Sequence, residues 1–241
     1  DIGGRSLTDD FQALLKKKEA TIRPRYTFKK QMVTTDGEKK FQIKDLSATE
    51  ALANTDPSYH EWCVNDMARE IKEDFLSVAD DQLQLHKGED NTPMGEYDLP
   101  DGTALKLSAF ERQSIGEKMF QNFSYPELES PQGLSGFAGV HQMILESIQK
   151  SDLDFRKDLF SNIILSGGTT LMRGFTDRVN KLLPEICPQN MRVKVLPAPN
   201  NRRFQPWIGG SILSSLGSFQ QMWMSRQEYE EHGAIMIERK C

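Results

Sequence analysis

The sequence predicts an α/β fold, and three observations support this prediction. Residues 163–165 (Ile-Ile-Leu) form a short apolar run with β-branched residues, which suits a buried strand. The stretch SGGTT at residues 166–170 follows at once, and apolar residues at positions 175, 179, 182 and 183 then recur at helical spacing. Helical and strand patterns alternate along the rest of the chain, as in α/β and α+β folds.

The passage from strand through glycine turn to helix also suggests a binding role. Backbone amides and a helix N-terminus can face a phosphate group in this arrangement, and glycine lets a ligand approach the backbone closely. The pattern is weak when taken alone, because a Gly-Gly turn between a strand and a helix is more often only a tight connection.

Length and composition argue against several classes of protein. The 241 residues suffice for one large domain or two small ones, and the net charge of −5 does not predict broad contact with a nucleic acid backbone. No stretch of eighteen apolar residues predicts a membrane span. The three cysteines and four histidines show neither a disulfide framework nor metal-ligand spacing, which indicates a reducing compartment. Residues 1–4 resemble the end of a strand and lack an initial Met, so we expect a piece of a longer protein.

Two helices and a strand region are predicted in the first part of the chain. Ser6 is predicted to cap a helix that ends at the solvated lysines 16–18 and carries one apolar face, formed by Leu7, Phe11, Leu14 and Leu15. Residues 21–45 alternate loosely around Gly37 and predict strands or a hairpin. Asp56 and Pro57 predict the start of a second helix, whose inner face is formed by Trp62, Met67, Ile71 and Phe75.

Turn signals and periodicity predict the remaining elements. Residues 100–102 (Pro-Asp-Gly) predict the turn of a hairpin between residues 96–99 and 103–107. A short helix is predicted at residues 110–120, and the prolines and glycines of residues 122–138 predict a loop. The later predictions are a helix at 140–148, a strand at 191–196, a loop at 197–201, a helix from Trp207, and a last helix with a capping box of Ser225 and Glu228.

Several long motifs resemble the C-terminal half of the actin superfamily. They occur in the order of that family: DIGGRSLTD at residues 1–9, YDLPDG at 97–102, DFRKDL at 154–159, SGGTT at 166–170, WIGGSIL at 207–213, FQQMW at 219–223 and QEYE at 227–230. The resemblance covers nearly the whole chain. It implies an actin-like (ribonuclease H-like) ATPase fold, here the half made of subdomains 3 and 4 plus the C-terminal helices of subdomain 1.

Within this superfamily, the chain most resembles the nuclear actin-related protein 4 family. The stretches that carry this resemblance are IRPRYTFK at residues 22–29, EHGA at 231–234 and ERKC at 238–241. Residues 27–57 correspond to a family-specific insertion. The resemblance divides the chain into residues 1–134, which are subdomain 4-like, residues 135–204, which are subdomain 3-like and hold the nucleotide turn, and residues 205–241, which pack on subdomain 1.

The resemblance implies an ATP site to which this half contributes the nucleoside side. The implied nucleotide-binding residues are Gly4, Arg69, Lys72, Glu73, Gly167, Gly168, Thr169, Leu171, Met172 and Arg203. Met172 stands where the family has a tyrosine, and Arg203 stands where it has a lysine. The groups that bind Mg or Ca and position the attacking water belong to the other half, so we expect no catalytic or metal-binding residue here. Without the resemblance, Arg69 and Glu73 would be interpreted as an ordinary surface pair.

A second implied site is a groove for an amphipathic helix, lined by Leu213, Leu216, Ser218, Phe219 and Met222. The resemblance implies that the partner is a helical segment of a chromatin remodeller's motor subunit. Monomeric actin, other chromatin-complex subunits and the nucleosome are the further expected partners, without a membrane. The alternative is that these residues form the core of two packed helices; Leu216 and Met222 are the strongest groove candidates.

Three functions fit these observations. The favoured one is a non-catalytic, ATP-binding scaffold subunit of chromatin-remodelling and histone acetyltransferase complexes, located in the nucleus and acting in transcription regulation. The second is a cytoskeletal actin-like filament subunit, against which the insertion at residues 27–57 argues, because it lies where filament neighbours would pack. The third is an active phosphotransferase of the same superfold, such as a sugar kinase or chaperone ATPase, which the motifs at Trp207 and Phe219 disfavour.

Overall fold

The computed structural model describes residues 2–35, 38–46, 54–83, 93–121, 137–196 and 200–240. Most of the loop predicted at residues 122–138 lies outside the described residues, as do the turn at Gly37 and the cysteine at position 241. Over the described residues, the chain folds into helices around three small two-stranded sheets.

Two helices near the N-terminus pack against each other. Helix α1 spans Gly4–Lys17, and its apolar side chains at positions 7, 11, 14 and 15 are all buried, as the periodicity predicts. The predicted cap is wrong, because Gly3 caps this helix and the Ser6 hydroxyl accepts a hydrogen bond from the Gly3 N–H at 2.9 Å. Helix α2 spans Pro57–Phe75 and begins as predicted, with the Asp56 carboxylate accepting from the Ser58 N–H at 2.9 Å.

One predicted member of the inner face of α2 is placed differently by the structure. Ile71 is buried and Met67 and Phe75 pack against the core, but Trp62 is 59% exposed. Trp62 lies one turn nearer the solvent-facing start of the helix, where it stacks on Tyr59 with ring centroids 6.2 Å apart. Helical spacing alone predicted burial, whereas the neighbouring elements do not extend far enough to cover this turn.

Two antiparallel hairpins lie in the first half of the chain. Strands β1 (Phe28–Thr35) and β2 (Glu38–Asp45) form the hairpin predicted for residues 21–45. Strands β3 (Met94–Asp98) and β4 (Ala104–Ser108) form the second one. Its turn follows the predicted chemistry: the Asp101 carboxylate accepts from the Thr103 N–H at 2.9 Å, and Gly102 has a φ of +88°.

Three helices follow the second hairpin. Helix α3 spans Ala109–Glu117 and is capped by Ser108 and Glu111, a capping box that pattern reading missed. Helix α4 spans Val140–Lys150 and helix α5 spans Leu153–Ser161. Buried side chains of these two helices form a second small core with Cys187, namely Leu145, Ile148 and Phe160.

The predicted strand and glycine turn lead into a more complex passage than expected. Strand β5 (Ile163–Ile164) pairs in parallel with β6 (Val195–Leu196), so the strand predicted at residues 191–196 is shorter than expected. The turn continues into a 3₁₀ segment, Gly168–Leu171, and helix α6 then spans Phe175–Ile186, which confirms the helix predicted from the apolar spacing at positions 175–183. The amides of residues 168–171 therefore belong to a 3₁₀ turn rather than to the helix N-terminus that the pattern predicted.

The main core lies between α1, α2, α3, α6 and the β3–β4 hairpin. Its most deeply buried side chains come from all of these elements and include Leu7, Phe11, Ile71, Leu107, Ile115 and Val179. Burying an aliphatic or aromatic side chain of this size contributes about 1.5–3 kcal/mol, so this core fixes the relative positions of α1, α2 and the turn at residues 168–171.

The C-terminal region consists of short helices without a core of its own. Helices α7 (Gln205–Ser215), α8 (Arg226–His232) and α9 (Ile237–Lys240) are joined by 3₁₀ turns, and no side chain from residue 201 to 240 is buried. The predicted capping box is confirmed, because Ser225 and Glu228 exchange hydrogen bonds of 2.8 and 3.1 Å. No helix among the described residues has the length and apolar character needed to cross a membrane.

Candidate functional site

A cavity of about 830 Å³ lies where α1, α2 and the 3₁₀ turn at residues 168–171 meet. Helix α1 contributes one face to its wall, and α2 contributes another. Arg203, from the segment before α7, closes a further side. The lining residues are Gly4, Arg5, Leu7, Thr8, Asp9, Gln12, Glu61, Trp62, Asn65, Asp66, Arg69, Lys72, Glu73, Gly168, Thr169, Leu171, Met172 and Arg203.

The structure brings nine of the ten predicted nucleotide-binding residues into this one wall. The tenth predicted residue, Gly167, is not among the lining residues, but it directly precedes Gly168, which is. The predicted residues come from four separate stretches of the sequence, as far apart as positions 4 and 203. Their convergence therefore depends on the packing of the main core and not on any local motif.

Lys72 joins helix α2 to the first turn of α1. Its ammonium group donates to the Gly4 carbonyl at 2.6 Å and to the Thr8 hydroxyl at 2.9 Å. The residue is only 6% exposed, and burial lowers the pKa of Lys72, an effect to which the nearby Arg69 and Arg203 add and which Glu73 and Asp9 oppose. An ammonium group has three donors, so one N–H is left for a group in the cavity.

A charged network crosses the cavity wall from α2 to Arg203. The Glu73 carboxylate accepts from Arg69 at 3.2 Å and from Arg203 at 3.1 Å, and Arg69 also donates to Asp66 at 2.7 Å. The Asp66 hydrogen bond is the main cause that raises the pKa of Arg69. Because the network joins groups 130 residues apart in sequence, it attaches the Arg203 segment to α2.

The glycine turn is held by its own hydrogen bonds and by Arg202. Gly167 has a φ of +92°, a conformation that favours glycine, and its carbonyl accepts from the Thr170 hydroxyl at 2.8 Å. Arg202 donates to the Thr170 carbonyl at 2.7 Å, and the Arg202 carbonyl accepts from the Gly167 N–H at 3.0 Å. These bonds orient residues 168 and 169 toward the cavity.

Close contact between α1 and this turn explains the glycine at position 4. A Cβ atom built on Gly4 would lie 3.2 Å from the Thr169 hydroxyl and 3.6 Å from the Lys72 ammonium group. The first distance is tighter than most Cβ contacts and the second is ordinary, so a side chain at Gly4 would require the Thr169 side chain to shift by a few tenths of an ångström. Met172, at the end of the turn, is 8% exposed and belongs to the main core as well as to the cavity wall.

Several lining residues were not predicted from the sequence. They include Arg5, Thr8, Asp9 and Gln12 on α1 and Trp62, Asn65 and Asp66 on α2. Thr8 and Gln12 follow Gly4 by four and eight residues, and Asp66, Asn65 and Trp62 precede Arg69 by three, four and seven residues. The Gln12 amide donates to the Asn65 carbonyl oxygen across the two helices. Extending the periodicity of three and four residues forward from Gly4 and back from Arg69 would have found Thr8, Gln12, Asn65 and Asp66, but not Arg5 or Asp9.

The chemistry of the cavity suits the uncharged part of a nucleotide better than a phosphate chain. Its wall carries four cationic and four anionic side chains, and Glu73 and Asp66 already hold two of the cations. The neutral hydrogen-bonding side chains of the wall are those of Thr8, Gln12, Asn65 and Thr169. Among the described residues, no group of three or more His, Cys, Asp or Glu side chains is placed to hold a metal ion.

The residues predicted for a helix-binding groove lie at the end of α7 and in the 3₁₀ turn Gly217–Met222 that follows it. Leu213, Leu216 and Met222 are 46%, 48% and 37% exposed, and Ser218 is exposed as well. Phe219 is half-buried and packs edge-on against Trp223, with ring centroids 5.2 Å apart. The described residues place these side chains at the surface, and both the groove and the alternative of a packed core stay predictions.

Several known proteins are similar in sequence to this chain. The family model described as Actin matches residues 1–241. Actin-related protein 4 of Arabidopsis thaliana is 42% identical over 246 residues, which cover 100% of this chain and 54% of that protein. Actin-related protein 4 of Oryza sativa, in both subspecies indica and japonica, is 41% identical over 249 residues and is covered to 53%. The chain thus spans about half the length of the curated relatives that it matches.

Proposed function

This chain belongs to the actin family, and from that membership we propose that it forms the nucleoside side of an ATP site in a non-catalytic scaffold subunit of nuclear chromatin complexes. The observation that carries the nucleotide part is the cavity of about 830 Å³, in which nine of ten residues implied by the resemblance converge. The volume lies within the range typical of small-molecule sites, about 300–1,000 Å³.

Different residues of the cavity wall would contact different parts of the nucleotide. Gly4, Gly168 and Thr169 leave room for the sugar and the first phosphate, because two of the three lack a side chain. Glu73 accepts hydrogen bonds from the ribose hydroxyls, and Arg69 and Arg203 hold its carboxylate in place. Leu171, which is 39% exposed, offers an apolar surface to the base.

The same geometry supports binding rather than turnover. The described cavity wall contains no histidine, cysteine or serine, and two of its four carboxylates, those of Glu73 and Asp66, are paired with arginines. In an actin-like site, the phosphate chain of ATP and its metal ion would be bound by the other half of the fold and not by the cavity wall described here. A steady-state ATPase assay is expected to give no hydrolysis by this chain above the buffer rate.

ATP binding by this chain is expected to be weak, because a ligand loses enclosure when one wall of its cleft is missing. We expect a Kd on the order of 0.1–1 mM by calorimetry, equivalent to about 4–5.5 kcal/mol of binding free energy. Trp62 lines the cavity, so saturable quenching of its fluorescence by ATP provides a second signal, with Trp62→Phe as the control. Micromolar affinity would contradict the assignment of half a site, and the absence of any saturable signal would contradict the site itself.

The scaffold part of the proposal rests on the exposed C-terminal surface. Trp207 is 77% and Ile212 is 61% exposed, and this apolar surface is available both to subdomain 1, on which residues 205–241 are expected to pack, and to a protein partner. An amphipathic helix of a remodeller's motor subunit, with monomeric actin beside it, is the proposed partner. The names of the relatives support an actin-related protein, and we propose that it is located in the nucleus.

Sedimentation separates the scaffold from a filament subunit. A filament-forming protein would pellet with ATP and magnesium at concentrations where a scaffold stays in the supernatant. The β1–β2 hairpin, which lies in the region of the insertion, supports the scaffold. The measurement should use the protein at the length of its relatives, because the 241-residue chain covers 54% of one of them.

A further inference from the structure

The β1–β2 hairpin concentrates positive charge in a chain that is negative as a whole. Residues 22–46 contain seven Lys or Arg and three Asp or Glu, a net charge of +4, whereas the complete chain has −5. The overall charge therefore conceals a basic segment. Burial ends where the hairpin begins: Thr27, just before β1, and Phe28 are buried. The next four residues, Lys29, Lys30, Gln31 and Met32, are exposed.

The pairing register assigns the exposed side chains to two different faces. Phe28 and Ile43 share the face toward the body of the protein, where a Cβ atom at Gly102 would lie 3.8 Å from the Ile43 Cδ1. Side chains alternate along a strand. The opposite face therefore carries Lys29 opposite Lys44 and Gln31 opposite Gln42, and all four of these residues are exposed.

This solvent face, which we call the lysine–glutamine face, is unfavourable in the free protein. Two like charges directly opposite each other on paired strands destabilise the pair. Neither Lys29 nor Lys44 forms an ion pair with any described residue, and Lys30 on the other face has none either. Arg23 and Arg25 add two exposed cations at the base of the hairpin, the first of them 3.8 Å from Asp45. A bound polyanion would relieve this repulsion.

From this arrangement we propose that the lysine–glutamine face of the β1–β2 hairpin binds double-stranded DNA, with the two-stranded ribbon entering the major groove. The groove is about 12 Å wide and admits a two-stranded β-ribbon. Same-face residues lie about 6.8 Å apart along each strand, so the lysine pair and the glutamine pair form successive rows. Lysines meet phosphates or guanine, and glutamine amides can pair with adenine.

The polarity of the face distinguishes DNA from an acidic protein as the occupant. Protein interfaces depend on a few buried aromatic or aliphatic anchors, whereas DNA interfaces are more polar and strongly positive. The side-chain exposure of five residues on this face is described; four of them are Lys or Gln, and the fifth is Val33, which is 36% exposed. Duplex RNA is disfavoured because its major groove is too narrow for side chains to enter.

Fluorescence anisotropy with a labelled DNA duplex of about 24 base pairs tests this proposal on the 241-residue chain, with salt varied from about 50 to 200 mM. The test variant carries Lys29→Gln and Lys44→Gln. The control carries Lys150→Gln and Lys157→Gln, two exposed lysines on α4 and α5, and it has the same net charge. We expect the test variant alone to bind at least about tenfold more weakly, with a salt slope reduced by up to about 2.

A second variant and two further probes decide the remaining outcomes. Lys29→Arg with Lys44→Arg should retain DNA binding. The melting temperature should not fall in any variant, because these side chains are exposed and Lys29→Gln with Lys44→Gln removes a pair of like charges. Equal weakening in the test and control variants would reduce the effect to net charge and overturn the proposal. Tighter binding to polyglutamate, or to an RNA duplex of the same sequence, would assign the face to another class of partner and would also overturn it.

Discussion

The two adjacent glycines of the turn at residues 166–170 are constrained by different features of the structure. Gly167 has a φ of +92°, and a Cβ atom there would meet nothing within 4 Å, so its backbone conformation is the constraint. Gly168 has no positive φ, and a Cβ atom there would lie 3.5 Å from the Arg203 Cγ, an ordinary contact. Substitution at Gly168 therefore tests the space in the cavity without straining the backbone.

Gly168→Val is expected to reduce ATP affinity at least about tenfold while the protein stays folded, because its methyl groups enter the cavity and displace Arg203 from Glu73. The Trp62 fluorescence titration measures this change. Gly168→Ala is the matched control and should bind ATP with little loss. Unchanged affinity in the valine variant would remove this turn from the nucleotide site.

The most deeply buried ion pair of the described residues joins α3 to α6. Glu117 and Arg178 are 0% and 3% exposed, and their charged groups lie 3.1 Å apart. Burial raises the pKa of Glu117, and both Arg178 and the hydrogen bond from the Leu83 N–H oppose this shift. The second carboxylate oxygen and the Arg178 Nε have no partner among the described residues, so the pair is only partly satisfied.

Removing one member of this pair should be strongly destabilising. Glu117→Gln leaves the Arg178 charge buried and unpaired, with an expected loss of about 3–5 kcal/mol in the free energy of unfolding. Combining it with Arg178→Met should lose much less than the sum of the two single changes. Urea denaturation measures all three variants. Glu230→Gln breaks an exposed pair with Arg226 and serves as the control, with less than about 0.5 kcal/mol expected.

At the scale of elements, helix α8 shows how a short helix is held without burial. Its first turn carries the capping box of Ser225 and Glu228, and the Lys240 ammonium group reaches back to Glu228 at 2.7 Å. Lys240 also donates to the Trp223 carbonyl at 2.7 Å. The hydrogen bond from Lys240 is the main cause that lowers the pKa of Glu228 from 4.5 to about 2, and the bonds from Ser225 add to it.

The pH dependence of this contact follows from the direction of the shift. Because the folded pKa is lower than the unfolded one, the stabilisation is present above pH 4.5 and is lost as the pH falls toward 2. A carbon NMR titration of the Glu228 carboxyl group should give a midpoint near 2. Lys240→Gln should move the midpoint upward, and a midpoint at the ordinary value in the unchanged protein would contradict this contact.

At the scale of the whole molecule, the described residues up to 196 and the C-terminal residues 200–240 are stabilised differently. The elements up to residue 196 surround a shared core, whereas α7 to α9 expose apolar side chains along their length. The actin family membership of all 241 residues and the α/β arrangement confirm the predicted fold class. The three-part division at residues 134 and 204 stays a proposal.

Met222→Glu tests the groove on the exposed part. The charge should weaken binding of the motor subunit's helical segment by about ten- to hundredfold, because interface anchors are worth about 1–3 kcal/mol and a buried unpaired charge adds to the loss. A pull-down with that segment measures binding. The melting temperature should change little, since Met222 is 37% exposed.

Two results would contradict the assignment of Met222. Unchanged pull-down would remove the residue from the interface, and lost binding together with a collapsed thermal transition would make it a core residue. Ile235→Glu is the control, because Ile235 is 63% exposed and lies outside the predicted groove.

The sequence alone determined the elements whose signals are local. The start of α2 at Asp56 and Pro57, the turn at residues 100–102 and the capping box of Ser225 and Glu228 each depend on hydrogen bonds within a few residues. The ordered motifs determined the family and pointed to nine residues of the cavity wall. Caps and turns can be predicted from the sequence because each depends on hydrogen bonds and backbone angles within a few residues.

The tertiary structure decided the features that depend on which surfaces meet. Periodicity placed Trp62 on the inner face of α2, but no packed element covers that turn, so the side chain is exposed and lines the cavity instead. Gly3 rather than Ser6 caps α1, because the backbone enters the helix one turn earlier. Charge summed over the chain concealed the lysine–glutamine face, since only strand register places Lys29 opposite Lys44. These outcomes arise from contacts between distant segments, which spacing within one segment does not encode.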